Sequence, residues 1–449
     1  MLTVILAVFT LGYLMIALEH KVHINKAASA LVTGAICWAL YVLNLQQLLP
    51  SGRIPHWFEE EAGLEQVSNV PLHFAIEAQH LHLTGEIASI LFFLMGAMTI
   101  VELVDAHEGF AIITKRIRAR KKSTLLCIVG LLTFFMSAVL DNLTTTIVMV
   151  SLLRKLVGSK EDRLMFVGLV VIAANAGGAW TVIGDVTTTM LWIKHKIGTV
   201  EVMLALFAGS FVCLLVPMIG MASRMKGELG EIPQTANHLD KNIQPWHQWL
   251  MLLVGLVGLV SVPVFKTITH LPPYMGMMFS LGVLWIIAEF VGHTMDEATR
   301  SSTGVLAALR RVDMSSILFF LGILLAVGAM GAMGTLAQAA EALDRILPSR
   351  EIVALAIGLI SAVVDNVPLV AAGIEMYDVP QNDEFWMLLA YCAGTGGSCL
   401  IIGSAAGVAA MGLEHIDFLW YLRRIGPWAL AGYLSGSAVV LIQRYLFNI

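Results

Sequence analysis

About ten stretches of this chain are long and apolar enough to cross a bilayer, and this limits its fold more than any other feature. A membrane helix needs about 20 apolar residues. Runs of that kind cover approximately 2–19, 27–48, 86–105, 163–192, 200–222, 246–265, 273–292, 314–337, 385–412 and 419–442. Only 13% of the 449 residues are charged, against roughly 25% in soluble domains. The expected class is an all-α polytopic membrane protein, not a soluble enzyme. The run Leu2–Leu18 has no basic residue before it, and Glu19-His20-Lys21 follows where a small-residue cleavage site would stand. It reads as a retained first span and not a signal peptide. The five cysteines lie in apolar runs without CxxC or Cys/His metal spacing.

Two further apolar stretches are interrupted. Residues 124–157 break at Asp141-Asn142, and residues 351–377 break at Asp365-Asn366. Each arm holds roughly 12–17 residues, or about 18–26 Å of helix, short of a hydrocarbon core of about 30 Å. The expectation is a re-entrant hairpin, a form that survives only when buried in protein or lining a cavity. The alternative is one long kinked span. With the N-terminus outside and both hairpins returning to their starting side, 20 of the 27 Lys and Arg fall inside and 7 outside. That split agrees with the positive-inside rule and places both termini on the outer, periplasmic side. The loop at about 50–85 is then external, with the acidic run Glu59-Glu60-Glu61.

The halves of the chain repeat. Ser89–Leu94 (SILFFL) matches Ser316–Leu321, Ser137–Asn142 (SAVLDN) matches Ser361–Asn366 (SAVVDN), and Gly177-Gly178 with Ile183-Gly184-Asp185 matches Gly396-Gly397 with Ile402-Gly403-Ser404. Each half holds five crossings and one hairpin. An odd number inverts the second half, and inverted repeats with broken helices are characteristic of secondary transporters. The first repeat is read as 1–222, with hairpin 124–157 and broken helix 163–192. A cytoplasmic connector covers 223–247. The second repeat is 248–449, with hairpin 351–377 and broken helix 385–412.

The chemistry gathers at the breaks. Ser137 and Asp141 are four apart and share a helix face, as do Ser361 and Asp365. An aspartate near mid-membrane costs several kcal/mol unless it has a partner and a task. Asn142 and Asn366 add amides, and Thr144-Thr145-Thr146 follow the first tip. The broken helices carry Asn175, Thr181, Asp185, Thr187 and Thr188 in one half and Thr395, Ser398 and Ser404 in the other, among repeated glycines. Glycine costs about 1 kcal/mol in a helix, so these segments read as unwound, exposing carbonyls able to coordinate a cation. The alternative is close helix packing through small residues. The meeting point of these four segments would hold Asp141, Asp185 and Asp365 with no Lys or Arg at that depth. Hard cations prefer oxygen ligands, and a buried carboxylate able to take H+ or Na+, but not both, would exchange one for the other.

These motifs, SAVLDN, NAGGAWTVIGDVTTT, SAVVDN and GTGGS…IGSAAG, resemble the NhaD-type Na+/H+ antiporters within the wider ion-transporter group, over nearly the whole chain. The resemblance implies exchange of Na+ or Li+ for H+ in pH homeostasis, at the bacterial inner membrane, by a homodimer whose core of hairpins and broken helices moves against a scaffold. It points to Ser137, Asp141, Asn142, Thr144, Asn175, Asp185, Thr187, Thr188, Ser361, Asp365 and Asn366 as cation and proton sites, with the three aspartates holding Na+. Glu86 fits the same pattern as an accessory residue. No cofactor is expected beyond the transported ions.

Other features have plainer readings. The basic run Lys115–Lys122 follows a span and fits anionic headgroups better than nucleic acid, and 106–120 is compatible with an interfacial amphipathic helix. His73, His80, His82 and His195 are more often solvated than pH-sensing. An anion or arsenite carrier of the same fold is the nearest rival. An intramembrane aspartyl protease is disfavoured because its G-x-G-D motif is missing. Replacing Asp141, Asp185 or Asp365 singly by Asn is expected to abolish or badly impair Na+-dependent proton movement in everted vesicles; normal transport by all three variants would place the cation site elsewhere.

Overall fold

The computed structural model describes residues 1–49, 54–56, 58, 60, 69–114, 117, 119–229 and 243–447. Arg53, Glu59, Glu61, Lys115, Arg116, Arg118, Lys241 and most of the connector lie outside the described residues. The principal helices, in chain order, are α1 (Leu2–Ala17), α2 (Lys26–Leu43), α3 (His82–Ala106), α4 (Lys122–Leu140), α5 (Asn142–Leu156), α6 (Lys160–Gly178), α7 (Val186–Ile193), α8 (Thr199–Arg224), α9 (Pro245–Thr269), α10 (Pro273–Gly292), α11 (Met314–Ala332), α12 (Thr335–Ile346), α13 (Arg350–Ile360), α14 (Asn366–Met376), α15 (Glu384–Gly396), α16 (Ala405–Glu414), α17 (Phe418–Arg424) and α18 (Gly426–Phe447). Among the described residues, seven helices are long and apolar enough to span a membrane, or eight if α17 and α18, bent by 51°, form one span. The protein is an all-α, multi-span membrane protein.

Several boundaries differ from the sequence reading. Residues 70–85 are helical where an outer loop was expected: Val70–His73 and a π-helical stretch, Phe74–Leu81, run straight into α3. The span at 314–337 ends at Ala332, and Gly334 at φ 74° separates it from α12. The interfacial helix placed at 106–120 is a single turn, Ala111–Thr114, among the described residues. The first hairpin arm, α4, has 19 residues, or about 28 Å, because its helix starts at Lys122 and includes the polar entry. A non-helical residue, Asp141, ends it, and α5 packs back on α4.

The chain forms two compact units, each drawing on both halves of the sequence. The first comprises Met1–Leu91, Asp313–Ser349 and Ala371–Asp378. Its centre is the pair α2 and α11, which cross backbone to backbone. A side chain on Gly322 would sit 2.5 Å from the Ala30 carbonyl carbon, and one on Gly34 would sit 2.6 Å from the Gly322 carbonyl oxygen. Without a hydrophobic drive between helices in lipid, such close contact is what holds them. Trp38 adds an indole hydrogen bond to the Leu325 carbonyl at 2.9 Å.

The second unit comprises Phe92–Val312, Arg350–Val370 and Val379–Ile449. Here α6 and α15 are the core: every residue of Phe166–Gly178 and of Phe385–Gly396 is buried. Helices apolar on all sides belong inside a bundle. α4 packs against α6 as α13 packs against α15. The contacts repeat at the residue level. Gly177 lies against the Phe134 carbonyl as Gly396 lies against that of Gly358, and Gly184 lies against Ser137 as Gly403 lies against Ser361.

Replacing Gly322 by Leu should lower stability by about 1–3 kcal/mol, read as a drop in melting temperature in detergent. Gly282→Leu is the matched control, since nothing lies within 4 Å of a side chain placed there.

Candidate functional site

The turn at the first hairpin tip is built on one residue. Asp141 has φ 73° and ψ 159°, a region almost restricted to glycine that costs a side chain about 1–3 kcal/mol. The conformation lets its carboxylate cap α5. Oδ1 accepts from the Thr144 amide and Oδ2 from the Thr144 hydroxyl, both at 2.8 Å. The cap satisfies backbone donors that a helix start leaves free inside the membrane.

The broken helix makes a second cap of the same kind. Asp185 sits at the N-terminus of α7, and its Oδ1 accepts from the Thr187 amide at 2.8 Å and the Thr187 hydroxyl at 2.6 Å. The Thr188 hydroxyl donates to the Asp185 carbonyl at 2.9 Å. Asn142, the residue after the hairpin tip, reaches across to this carboxylate. Its amide nitrogen donates to Asp185 Oδ2 at 2.6 Å and to Asn175 Oδ1 at 3.0 Å. Asn175 in turn donates to Ser398 Oγ at 2.8 Å and Ser404 Oγ at 2.9 Å. Asn142, Asn175, Asp185, Ser398 and Ser404 are all at most 4% exposed. One continuous network thus joins the first hairpin, the first broken helix and the second broken helix.

The second half repeats the frame with different chemistry. Ser137 donates to the Ala174 carbonyl at 2.6 Å, and Ser361 donates to the Ala393 carbonyl at 2.8 Å. Ser404 caps α16, accepting from Gly407 at 3.1 Å, with the backbone angles that Asp185 has. Asp365 stands before α14 and accepts weakly from the Val367 amide at 3.4 Å. Asn366 follows it and is buried. Asp185 is within electrostatic reach of both Asp141 and Asp365. Among the described residues, no three His, Cys, Asp or Glu side chains gather at one metal position.

Two expected residues have partners of their own. The Thr395 hydroxyl donates to the Tyr391 carbonyl of its own helix at 2.6 Å. Glu86 belongs to the other compact unit, 3.7 Å from His82. A cavity of about 20 Å³, room for one water, adjoins the hairpin tip, and among the described residues that line it Asp141 is the one charged group, beside Phe93, Leu94, Met98, Leu259 and Met277.

Two features go beyond the sequence reading. Thr145 and Thr146 are fully buried, and their hydroxyls have no hydrogen-bond partner among the described residues. Glu414, at the end of α16, is 2% exposed and binds Arg154 at 2.6 Å and Arg163 at 2.9 Å. Arg154 also reaches the Leu413 carbonyl. A lone acid closing an apolar run was the available signal for this triad.

Residues 4–383 match the family described as citrate transporter. The chain is also similar to the Na(+)/H(+) antiporter NhaD of Vibrio cholerae, at 30% identity over 98% of this chain and 91% of the relative. The chain belongs to the citrate transporter family, in its NhaD-type group. Sodium/proton antiporter 1 of Arabidopsis thaliana is 47% identical over 98% of this chain and 72% of its own length. Sodium/proton antiporter 2 of the same plant is 42% identical over 96% of this chain and 97% of its own length. For this NhaD-type protein, strain at Asp141 yields a test that separates folding from transport. Asp141→Gly should keep or raise the melting temperature, since relief of about 1–3 kcal/mol exceeds the few tenths lost on replacing a cap by glycine. The same variant should lose Na+-dependent proton movement in vesicles.

Proposed function

We propose that this protein is a secondary transporter that exchanges Na+, or Li+, for H+ by alternating access, with the cation and the proton competing for the buried aspartates. One observation carries the choice of cargo. Helix N-termini inside a membrane attract carboxylate substrates, because their free N–H groups and dipoles favour negative charge. Here two of those N-termini are already filled by the chain's own carboxylates, Asp141 on α5 and Asp185 on α7. The partners of Asp141, Asn142, Asn175 and Asp185 among the described residues are amides, hydroxyls and backbone N–H groups, none of them Lys or Arg. A citrate or other anion would find its seats taken and meet uncompensated negative charge. A small hard cation would find oxygen ligands.

In this reading Asp141, Asp185 and Asp365 supply the charge. Asn142, Thr144, Asn175, Thr187, Thr188, Ser137, Ser361 and Asn366 supply oxygens or hold the frame. The inverted-repeat organisation, with the first repeat at 1–222 and the second at 248–449, is supported by the paired glycine and serine contacts of the two halves. The protein works as a carrier rather than an enzyme, without a cofactor, as a homodimer in a bacterial inner membrane with both termini outside. The names of the V. cholerae and Arabidopsis relatives support Na+ and H+ as the ions. The relatives at 47% and 42% identity are plant proteins, and the charge asymmetry would set the same orientation in any membrane with a basic inner side.

The test is vesicles of purified protein holding an imposed proton gradient. Added Na+ or Li+ should dissipate it, while citrate or arsenite should leave it intact. Dissipation by citrate and none by Na+ or Li+ would overturn the reading.

A further inference from the structure

The buried amides of Asn142 and Asn175 use all four of their N–H groups. Asn142 gives one to Asp185 and one to Asn175, and Asn175 gives one to Ser398 and one to Ser404. Each amide therefore has a defined direction, nitrogen toward the acceptor. The nitrogen of Asn142 also lies against Asp185 Oδ2, the position a cation would take at that carboxylate. We propose that Asn142 and Asn175 form a reversible amide relay, in which cation binding at Asp185 turns both amides and so signals to the second broken helix through Ser398 and Ser404.

Donors and acceptors must stay paired as the amides turn. A cation at Asp185 expels an N–H and demands an oxygen, so Asn142 turns to present Oδ1. The face of Asn142 toward Asn175 then becomes an acceptor, and Asn175 must turn to present its nitrogen. That leaves Asn175 Oδ1 facing the two serines, which now donate where they formerly accepted. A hydroxyl is able to do both, being one donor and two lone pairs. A half-turned relay sets two donors or two acceptors face to face in a site closed to water, which is costly. The relay is thus all-or-none. It runs from the carboxylate of one half to residues that flank the break of the other, and Ser404 is itself the cap of α16. Asn175 and Ser398 act as positioning residues, working through Asn142 and not on the ion directly.

This inference rests on the exchange reading, and one experiment separates the two. Ser398 is the informative position, because its hydroxyl caps no helix and its hydrogen-bond partner is Asn175. Wild-type protein, Ser398→Ala and Ser398→Thr are placed in vesicles, and proton movement is followed against Na+ concentration. Ser398→Ala orphans one Asn175 N–H in the Na+-free arrangement, whereas in the turned arrangement Asn175 Oδ1 keeps Ser404 as a donor, so the half-saturating Na+ concentration should fall about fivefold, the size of one hydrogen bond. Ser398→Thr should restore it, since threonine also donates and accepts. Infrared difference spectra of detergent-solubilised protein with isotope-labelled asparagine provide a second readout. Na+ should perturb asparagine side-chain bands in wild type, and Asn175→Ala should remove part of that signal. Unchanged or raised half-saturation in Ser398→Ala, equal shifts in the Ala and Thr variants, or no Na+-dependent asparagine bands in a wild type that exchanges would each overturn the relay alone. A wild type without Na+-driven proton movement would overturn the exchange reading and the relay with it.

Discussion

A backbone that stops being helical inside a bilayer must find partners for the amides and carbonyls it frees. Asp141 and Asp185 meet that demand by turning their carboxylates onto the helix that follows each break. The threonines two or three positions later close each cap with a hydroxyl. The arrangement solves a folding problem and creates a functional one. It commits two anionic groups to membrane depth, where hydrogen bonds soften their charge without cancelling it. In the proposed exchange reading a mobile cation or a proton completes the balance on the same oxygens.

The two halves share this frame but not its chemistry. Ser404 stands where Asp185 stands, and Gly394 stands where Asn175 stands. The backbone turns are nearly the same, with φ −145° at both Asp185 and Ser404. At the broken helices, acid and amide are thus concentrated on the first half, while the second contributes hydroxyls and empty space. A side chain at Gly394 would begin 3.4 Å from Ala179 and 4.0 Å from Asp185 Oδ2. The asymmetry leaves room beside the carboxylate where a matched asparagine would have crowded it.

Much of this was legible in the sequence because the governing signals are local. Apolar length marks spans, and the Asp-Asn pairs and glycine runs mark breaks. The residues joined by the amide network, Asn142, Asn175, Asp185, Ser398 and Ser404, were all singled out from those patterns. What escaped depends on pairing, which hydropathy does not register. Residues 70–85 looked like a loop because His73, Glu77, His80 and His82 dilute the apolar run. In the folded chain, His73 lies 3.3 Å from Glu77 and His82 lies 3.7 Å from Glu86, each four residues on, a spacing that supports a helix. The end of the span at Ala332 depends on the left-handed Gly334, one of many glycines whose conformation a sequence does not reveal. Thr395 carried the same polar label as Ser398 but spends its hydroxyl on its own helix. Asp365 accepts from the Val367 amide at 3.4 Å where its counterpart Asp141 accepts from the Thr144 amide at 2.8 Å, a difference hidden behind nearly identical motifs.

Glu414 gives the unit a mechanical property. Its carboxylate is buried between Arg154, from the last turn of α5, and Arg163, from the first turn of α6. The end of α5, the start of α6 and the end of α16, the last some 250 positions along the chain from the first two, are riveted together. Breaking that rivet would strand a buried charge. Whatever displacement brings the ion chamber from one aqueous face to the other, these three feet travel as one piece, and the compliance needed for the stroke has to come from the glycine-lined breaks above them.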